Sequence, residues 1–557
     1  MKYYIAFILT FIYLIGHTQK ESYTAIIKAA EQENSKDSTH HKLALNLYSK
    51  AFTTYPEYVT ENDLYWASVL AASLKENDLA FKYLTPLAKL EKDTYGFPGW
   101  DLIVVEYAED DYQNLFDDSR WNILKTQALK EKEAFYKRLN ENEAEFYHIN
   151  TKNLSETKNA KTLYHKIKAY HPYTEKKYRD YSISFNINDS IKTSFFIHLP
   201  QDYNPTKTYP LLFFLHGAVK DNKLANYQTS ELNLGEWNRY YTKYANKNDV
   251  ILVFPRGNKQ YNWMYPDDGF FMLPEMLKLI KKAININDNK VFISGHSNGA
   301  TGSFSYVMKH PSPFAGFYGF NTYPKVFTGG TFVENIKNRS FLSFTTDKDY
   351  YYPPNANDSL TQLMKKLKAD YTEYRYNGFP HWFPEFDESE PAYKILFNDL
   401  MAKERNPFPE KICWEFDNEK YGTIDWLNHI TLDTLKPKAN WHRIFNFKIK
   451  KWLKPNNNND YIEQDVNKTA FYFPRKSGKI EAQYHDNIFR IETSCIKSFS
   501  LNISPEMVNV KKKIKVYANG KLKFNGKVKY NRTFILQFFE KNRDRKQVWI
   551  NQINIDI

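Results

Sequence analysis

Gly295-His296-Ser297-Asn298-Gly299 constrains this chain more than any other stretch. It follows the apolar run Val291-Phe292-Ile293 and precedes a helical pattern over residues 298–309. A serine between two glycines at such a junction predicts a strand that turns sharply into a helix. Small neighbours let the backbone turn without clashes, and the serine hydroxyl is left projecting into solvent. The first N–H groups of the helix then converge beside it. A buried strand that feeds a helix belongs to a sheet covered by helices.

The surrounding sequence follows that rule. Residues 181–186, 194–199, 209–215, 250–254, 290–294, 314–320, 340–346 and 370–376 read as strands. Residues 271–283, 298–309, 359–367 and 392–402 read as helices. Alternation of this kind predicts an α/β domain over 161–405, with a mostly parallel sheet and helices on both faces. Residues 20–160 are instead helical, with apolar stripes near period 3.6, such as Leu43, Leu45, Leu47 and Tyr48, or Leu64, Trp66, Leu70 and Ala71. The stretch from Asn77 to Tyr83 loosely resembles tetratricopeptide helix pairs, so this part is expected to be a repeat-like packing or docking domain. Residues 406–557 carry short strands at 412–416, 442–449, 469–474, 480–484, 488–493, 497–503, 512–517 and 522–528. Asn519-Gly520 between the last two is a hairpin turn. A small β-sandwich is expected there.

The N-terminus predicts export. Lys2 is followed by an apolar run over 3–15 and a polar turn at 16–19. That is the layout of a signal peptide, taken as residues 1–19, and it places the protein outside the cell or in the periplasm. The run is too short to span a bilayer, which needs about 20 residues. Cys413 and Cys495 are the only cysteines among 557 residues. Export would allow a bridge between them; their spacing carries no zinc signal, and no metal is expected. The net charge of +13 favours acidic partners. The lysines are scattered, however, and even Lys511-Lys512-Lys513 reads as a solvated run. No nucleic-acid-binding motif is present, so no such partner is expected.

A serine at a strand–helix turn becomes a nucleophile when an acid and then a histidine follow in order. Asp347-Lys348-Asp349 comes directly after the strand at 340–346. Asp349 is the first choice of acid and Asp347 the alternative. His381, in Gly378-Phe379-Pro380-His381-Trp382, is the expected base. Two backbone donors should meet a developing oxyanion: the N–H of Asn298, after the serine, and that of Ala218, in His216-Gly217-Ala218 at the end of the strand 209–215.

With these pieces in place, the middle region resembles the α/β-hydrolase superfamily. It is most similar to the esterase D, feruloyl-esterase and polyhydroxybutyrate-depolymerase-like carboxylesterases. Leu215 to Ala218, the stretch from Val291 to Gly302, the loop from Asp349 to Pro353 and Pro380-His381-Trp382 carry the resemblance. It implies hydrolysis of carboxylic esters without metal or organic cofactor. The missing further glycines after Gly217 weaken a lipase reading. Tyr261 and Trp263, on a loop after a strand end, and Trp382, beside the base, are candidates to stack on a sugar or aryl ester. A packed lid is the competing reading of that loop. A carbohydrate-linked ester is therefore one expected substrate. Two alternatives stand: a secreted serine peptidase, although no propeller-like repeat precedes this domain, and a non-catalytic adaptor.

Overall fold

The computed structural model describes residues 2–557 apart from 95–96, 105–106, 152, 188, 190, 220–233 and 457–460, and for 2–17, 107 and 268 the backbone alone. Two compact units, Met1–Glu141 and Asn142–Ile557, divide it.

The first unit is helical, with α1 (Lys2–Asn34), α2 (His41–Thr54), α3 (Glu61–Ser73), α4 (Asn77–Ala88) and the start of α5 (Ser119–Phe146) as its main elements. A capping box opens α3: Thr60 accepts from the Asp63 N–H, and Asp63 takes the Thr60 N–H in return. Alanines at 44, 67, 71, 72 and 80 are fully buried, which lets the helices approach closely around Leu45, Tyr48, Leu70 and Leu84. Leu43 and Trp66, placed on the inner stripes by their spacing, face solvent instead. Among the described residues no helix is long and apolar enough to cross a membrane.

The second unit is built on an eight-stranded sheet. Its strands are β1 (Asp180–Asn186), β2 (Lys192–His198), β3 (Tyr209–Leu215), β4 (Ile251–Pro255), β5 (Ile286–Gly295), β6 (Gly316–Phe320), β7 (Ser340–Lys348) and β8 (Tyr371–Pro380). They lie in the order β1-β2-β4-β3-β5-β6-β7-β8. β1 and β2 run antiparallel to their neighbours, and the rest are parallel. β3 and β4 are buried along their whole length, as central strands covered on both faces must be.

Alternate side chains feed two separate cores. Leu211, Phe213, Leu215 and Ile293 pack with helices α8 (Met272–Ala283), α9 (Asn298–Lys309) and α10 (Pro354–Leu367). Leu212, Phe214, Leu252 and Phe292 pack on the other face with α7 (Arg239–Lys247) and α11 (Glu390–Ala402). This is a central mixed sheet with helices on both faces, as in α/β hydrolases. α6 (Ala160–Lys168) lies elsewhere in the unit, against α12 (Arg532–Asn542).

The rest of the unit is rich in β structure. β9 (Lys411–Phe416), β13 (Gly478–His485), β14 (Ile488–Ser494), β16 (Ile514–Ala518) and β17 (Lys521–Gly526) form one sheet. β10 (Leu427–Leu432), β15 (Ile496–Ile503) and β18 (Asn551–Asp556) form a second, and β11 (Lys448–Pro455) pairs with β12 (Tyr461–Thr469) as an arm. Asn519 and Gly520 both take positive φ, 48° and 75°, at the β16–β17 turn.

Strands expected at 442–449 and 469–474 are largely absent. The Asn446 side chain supplies the pairing there: its amide donates to the Phe471 carbonyl at 2.8 Å and accepts the Phe471 N–H at 3.0 Å. A side chain thus stands in for a ladder. The allowed bridge between Cys413 and Cys495 does not form, and both thiols are free. β13 separates β9, which carries Cys413, from β14, which Cys495 follows.

A buried ionic cluster ties the β-rich region to the sheet. Asp544 meets Lys281 at 3.2 Å and Arg405 at 3.0 Å, and Arg545 meets Asp288 at 2.9 Å. Burial alone would raise the Asp544 carboxyl; Arg405 and Lys281 outweigh it and hold it well below the usual carboxylate range. Its contribution is therefore present at neutral pH and is lost as pH falls below the unfolded value. Asp544→Asn should leave two buried cations short of a partner and destabilise the second unit by about 3–5 kcal/mol. Urea unfolding of wild type and variant at pH 7 measures this.

Candidate active site

Ser297 sits where β5 turns into α9, with φ 57° and ψ −119°. That backbone is strained for a non-glycine residue and is held from both sides. The Ser297 N–H donates to the Phe320 carbonyl of β6 at 3.0 Å, and its own carbonyl accepts from Thr301 at 2.9 Å. The flanking glycines are needed for close approach. A Cβ on Gly295 would lie 2.4 Å from the Gly299 carbonyl carbon, and one on Gly299 would lie 1.8 Å from the Leu215 oxygen.

That contact brings the end of β3 beside the serine. A Cβ on Gly217 would stand 3.2 Å from the Ser297 Cβ. His216 fixes this loop. Its Nε2 accepts the Gly257 N–H at 3.1 Å, so Nδ1 carries the hydrogen and donates to the Gly217 carbonyl at 2.8 Å. In a planar trans peptide the Ala218 N–H points opposite to that carbonyl, away from the His216 ring. Ala218 holds a positive φ of 47°. Asn298 is the first residue of α9, and such N–H groups have no acceptor within their own helix.

His381 directly follows β8 and is buried. Its Nδ1 lies 3.0 Å from Asp349 Oδ1. Asp349 is buried as well and accepts the N–H groups of Tyr351 at 2.9 Å and Tyr352 at 3.4 Å, with Asn321 on its other oxygen at 3.0 Å. An ionised Asp349 makes His381 Nδ1 the donor. The opposite nitrogen, Nε2, has no hydrogen-bond partner among the described residues. Asp347 lies elsewhere: it accepts the Gly378 N–H at 2.7 Å, where φ is +91°, and so shapes the bend before His381.

His296 ties the serine turn to the histidine. Its Nε2 donates to the His381 carbonyl at 2.8 Å, and the two rings lie 4.9 Å apart. Burial, with the His381 ring adding to it, pushes the His296 imidazole down to about 3. The residue type at 296 gave no hint of this bond in the sequence.

Aromatic rings surround the pair. Trp382 is 39% exposed and Tyr351 46% exposed, at 5.0 and 4.4 Å from the His381 ring. Trp237 meets Trp382 edge-on at 6.2 Å and His296 at 5.4 Å. Its place could not be read from a sequence separation of more than 140 residues. Trp263, expected to stack on substrate, is fully buried: its ring lies against Gly302 and Gly257 and meets His216 at 4.7 Å. It is a packing residue under the β3 loop, which is the lid-like reading of that segment. Tyr261 is half-buried against the same core.

A Cβ on Gly302 would come within 2.2 Å of the Trp263 ring. Gly302→Ala should therefore overpack this contact and cost about 1–3 kcal/mol, read as a lower thermal midpoint. The pH dependence has a defined sign. His296 stays neutral in the fold while the unfolded chain protonates near pH 6.5. Stability should be untouched by this group above pH 6.5 and fall steadily as pH drops from there toward about 3. His296→Gln should flatten that part of the urea-midpoint profile.

Residues 186–324 match the model of the Esterase family. No curated protein matches the chain. Among solved structures, a thermostable esterase is similar at 20% identity and a TM-score of 0.34, over 41% of this chain and 64% of its own length. A ferulic acid esterase is similar at 15% identity and a TM-score of 0.32, over 40% of this chain and 99% of its own. The S-formylglutathione hydrolase of Staphylococcus aureus gives 14% identity and a TM-score of 0.31, over 40% and 99%.

Proposed function

We propose that the α/β region of this chain is that of an esterase-type serine hydrolase, which cleaves carboxylic esters through Ser297, His381 and Asp349. The observation that carries this reading is the buried His381. One ring nitrogen is committed to a carboxylate, and the other is left open. Ser297 Oγ attacks the ester carbonyl while His381 Nε2 takes its proton. Asp349 holds the tautomer and stabilises the imidazolium. The N–H groups of Asn298 and Ala218 meet the oxyanion. His381 then protonates the leaving alcohol, and water, activated by the same ring, releases the acyl group.

The exposed faces of Tyr351 and Trp382 support an ester that carries a flat ring, such as an aryl acid esterified to a sugar. The apolar run behind Lys2 supports export, so the substrate is met outside the cytoplasm.

Ser297→Ala should abolish both p-nitrophenyl acetate hydrolysis and labelling by a fluorophosphonate. The two acids separate cleanly. Asp349→Asn should lower kcat by about 10³–10⁴ because the histidine loses its tautomer control. Asp347→Asn should leave kcat within about tenfold, since Asp347 holds the Gly378 bend and Asp349 holds the imidazole. Feruloyl and acetyl sugar esters, run beside a dipeptidyl amide, test the substrate. Cleavage of the amide alone would overturn the ester reading.

A further inference from the structure

The β11–β12 arm leaves the β-rich region and reaches the loop that bears Asp349. Trp452 of β11 donates its indole N–H to the Tyr350 carbonyl at 2.9 Å. That carbonyl and the Tyr351 N–H belong to one peptide group. The Tyr351 N–H donates to Asp349 Oδ1 at 2.9 Å. A planar trans peptide points its two ends in opposite directions. Trp452 therefore grips one end of the unit whose other end holds the carboxylate.

The surroundings fix the indole. Its ring meets Tyr352 edge-on at 6.3 Å and Tyr323 at 6.5 Å, and the Lys468 ammonium of β12 lies 3.9 Å above it. Tyr461, the first residue of β12, stacks on Tyr350 at 6.0 Å and 25°. Tyr350 stacks on Tyr351 at 4.3 Å, and Tyr351 leans on His381 at 4.4 Å. Ile449, 2% exposed, anchors the base of the arm in the core. Two strands otherwise too few for independent stability are thus spent on this loop.

We infer that Trp452 is a positioning residue for the His381–Asp349 pair, acting through the Tyr350–Tyr351 peptide, and that the β11–β12 arm is part of the hydrolytic machinery. Hydrogen bonds at the two ends of one peptide also polarise each other, so the indole strengthens the N–H that Asp349 accepts. The inference rests on Asp349 being the acid of the proposed reaction.

Trp452→Phe in the full chain removes the donor and keeps a ring beside Tyr352 and Tyr323. With p-nitrophenyl acetate, kcat should fall roughly fivefold, the equivalent of one hydrogen bond, with KM unchanged. In the Asp349→Asn background the same change should have no further effect, because the group it positions is gone. An unaltered kcat in Trp452→Phe, or an equal loss in both backgrounds, overturns the inference.

A second readout does not need turnover. The downfield proton resonance of His381 Nδ1–H should vanish in Asp349→Asn and move upfield in Trp452→Phe. If it stays in place in Trp452→Phe, with the far-ultraviolet dichroism of wild type, the positioning role is refuted. If it moves while wild type neither cleaves an ester nor labels with fluorophosphonate, the positioning role stands and the hydrolase reading fails.

Discussion

The backbone of Ser297 is the constraint on which the site depends. A φ of 57° costs on the order of 1–3 kcal/mol, and the fold holds it through bonds to β6 and to the first turn of α9. Gly299 pressed on the Leu215 oxygen sets how close α9 comes to β3. The same contact brings Gly217 beside the serine. β6 then continues the chain of dependence. Its last residue, Phe320, accepts the Ser297 N–H, and the next, Asn321, reaches the outer oxygen of Asp349. One strained residue thus sets the register between the serine, the loop facing it and Asp349.

How much of this was legible follows from where the information lies. The serine turn was legible because its parts are adjacent: apolar strand, glycine, serine, glycine and helix occupy one stretch. Helix α9 and strand β3 have the limits that pattern gave them. His381 and the pair Asp347 and Asp349 stood out because chain order narrows the choice. Asp349, the first choice, is the carboxylate that meets the imidazole, while Asp347, two residues earlier, holds the Gly378 N–H. Trp263 misled because its position after a strand end says nothing about depth; two glycines distant from each other in sequence make the slot that buries it. Trp237, Asn321 and the Trp452 arm are long-range meetings that no local pattern encodes.

The β-rich region shows the same limit in another form. The change near residue 405 from strand–helix alternation to short strands reads as a boundary, and the core of the β-rich region is continuous with one face of the main sheet. Trp414, Ile430 and Phe499 belong to the same buried cluster as Phe213 and Ile293. Charges reinforce the union: Lys281 on α8 and Asp288 on β5 are neutralised by residues 544 and 545 near the C-terminus. Buried ions of this kind are costly alone and stable only together. The sheet that positions Ser297 therefore depends on chain more than 250 residues further on.

Two imidazoles lie 4.9 Å apart at this site, and their surroundings decide which can move a proton. His296 is buried with its Nε2 hydrogen committed to a carbonyl, and burial beside a second imidazole disfavours its charged form. Among the described residues its ring is hydrogen-bonded to no carboxylate, and its bond to the His381 carbonyl makes it a strut between the serine turn and the end of β8. His381 has different neighbours. Asp349 stands ready to stabilise a positive ring, and Nε2 is unspent among the described residues. A proton taken from Ser297 would leave His381 paired with a carboxylate, whereas on His296 it would create an isolated buried cation. The difference between the two rings is thus set by the neighbours that β7 and β8 bring, and the residue type alone does not decide it.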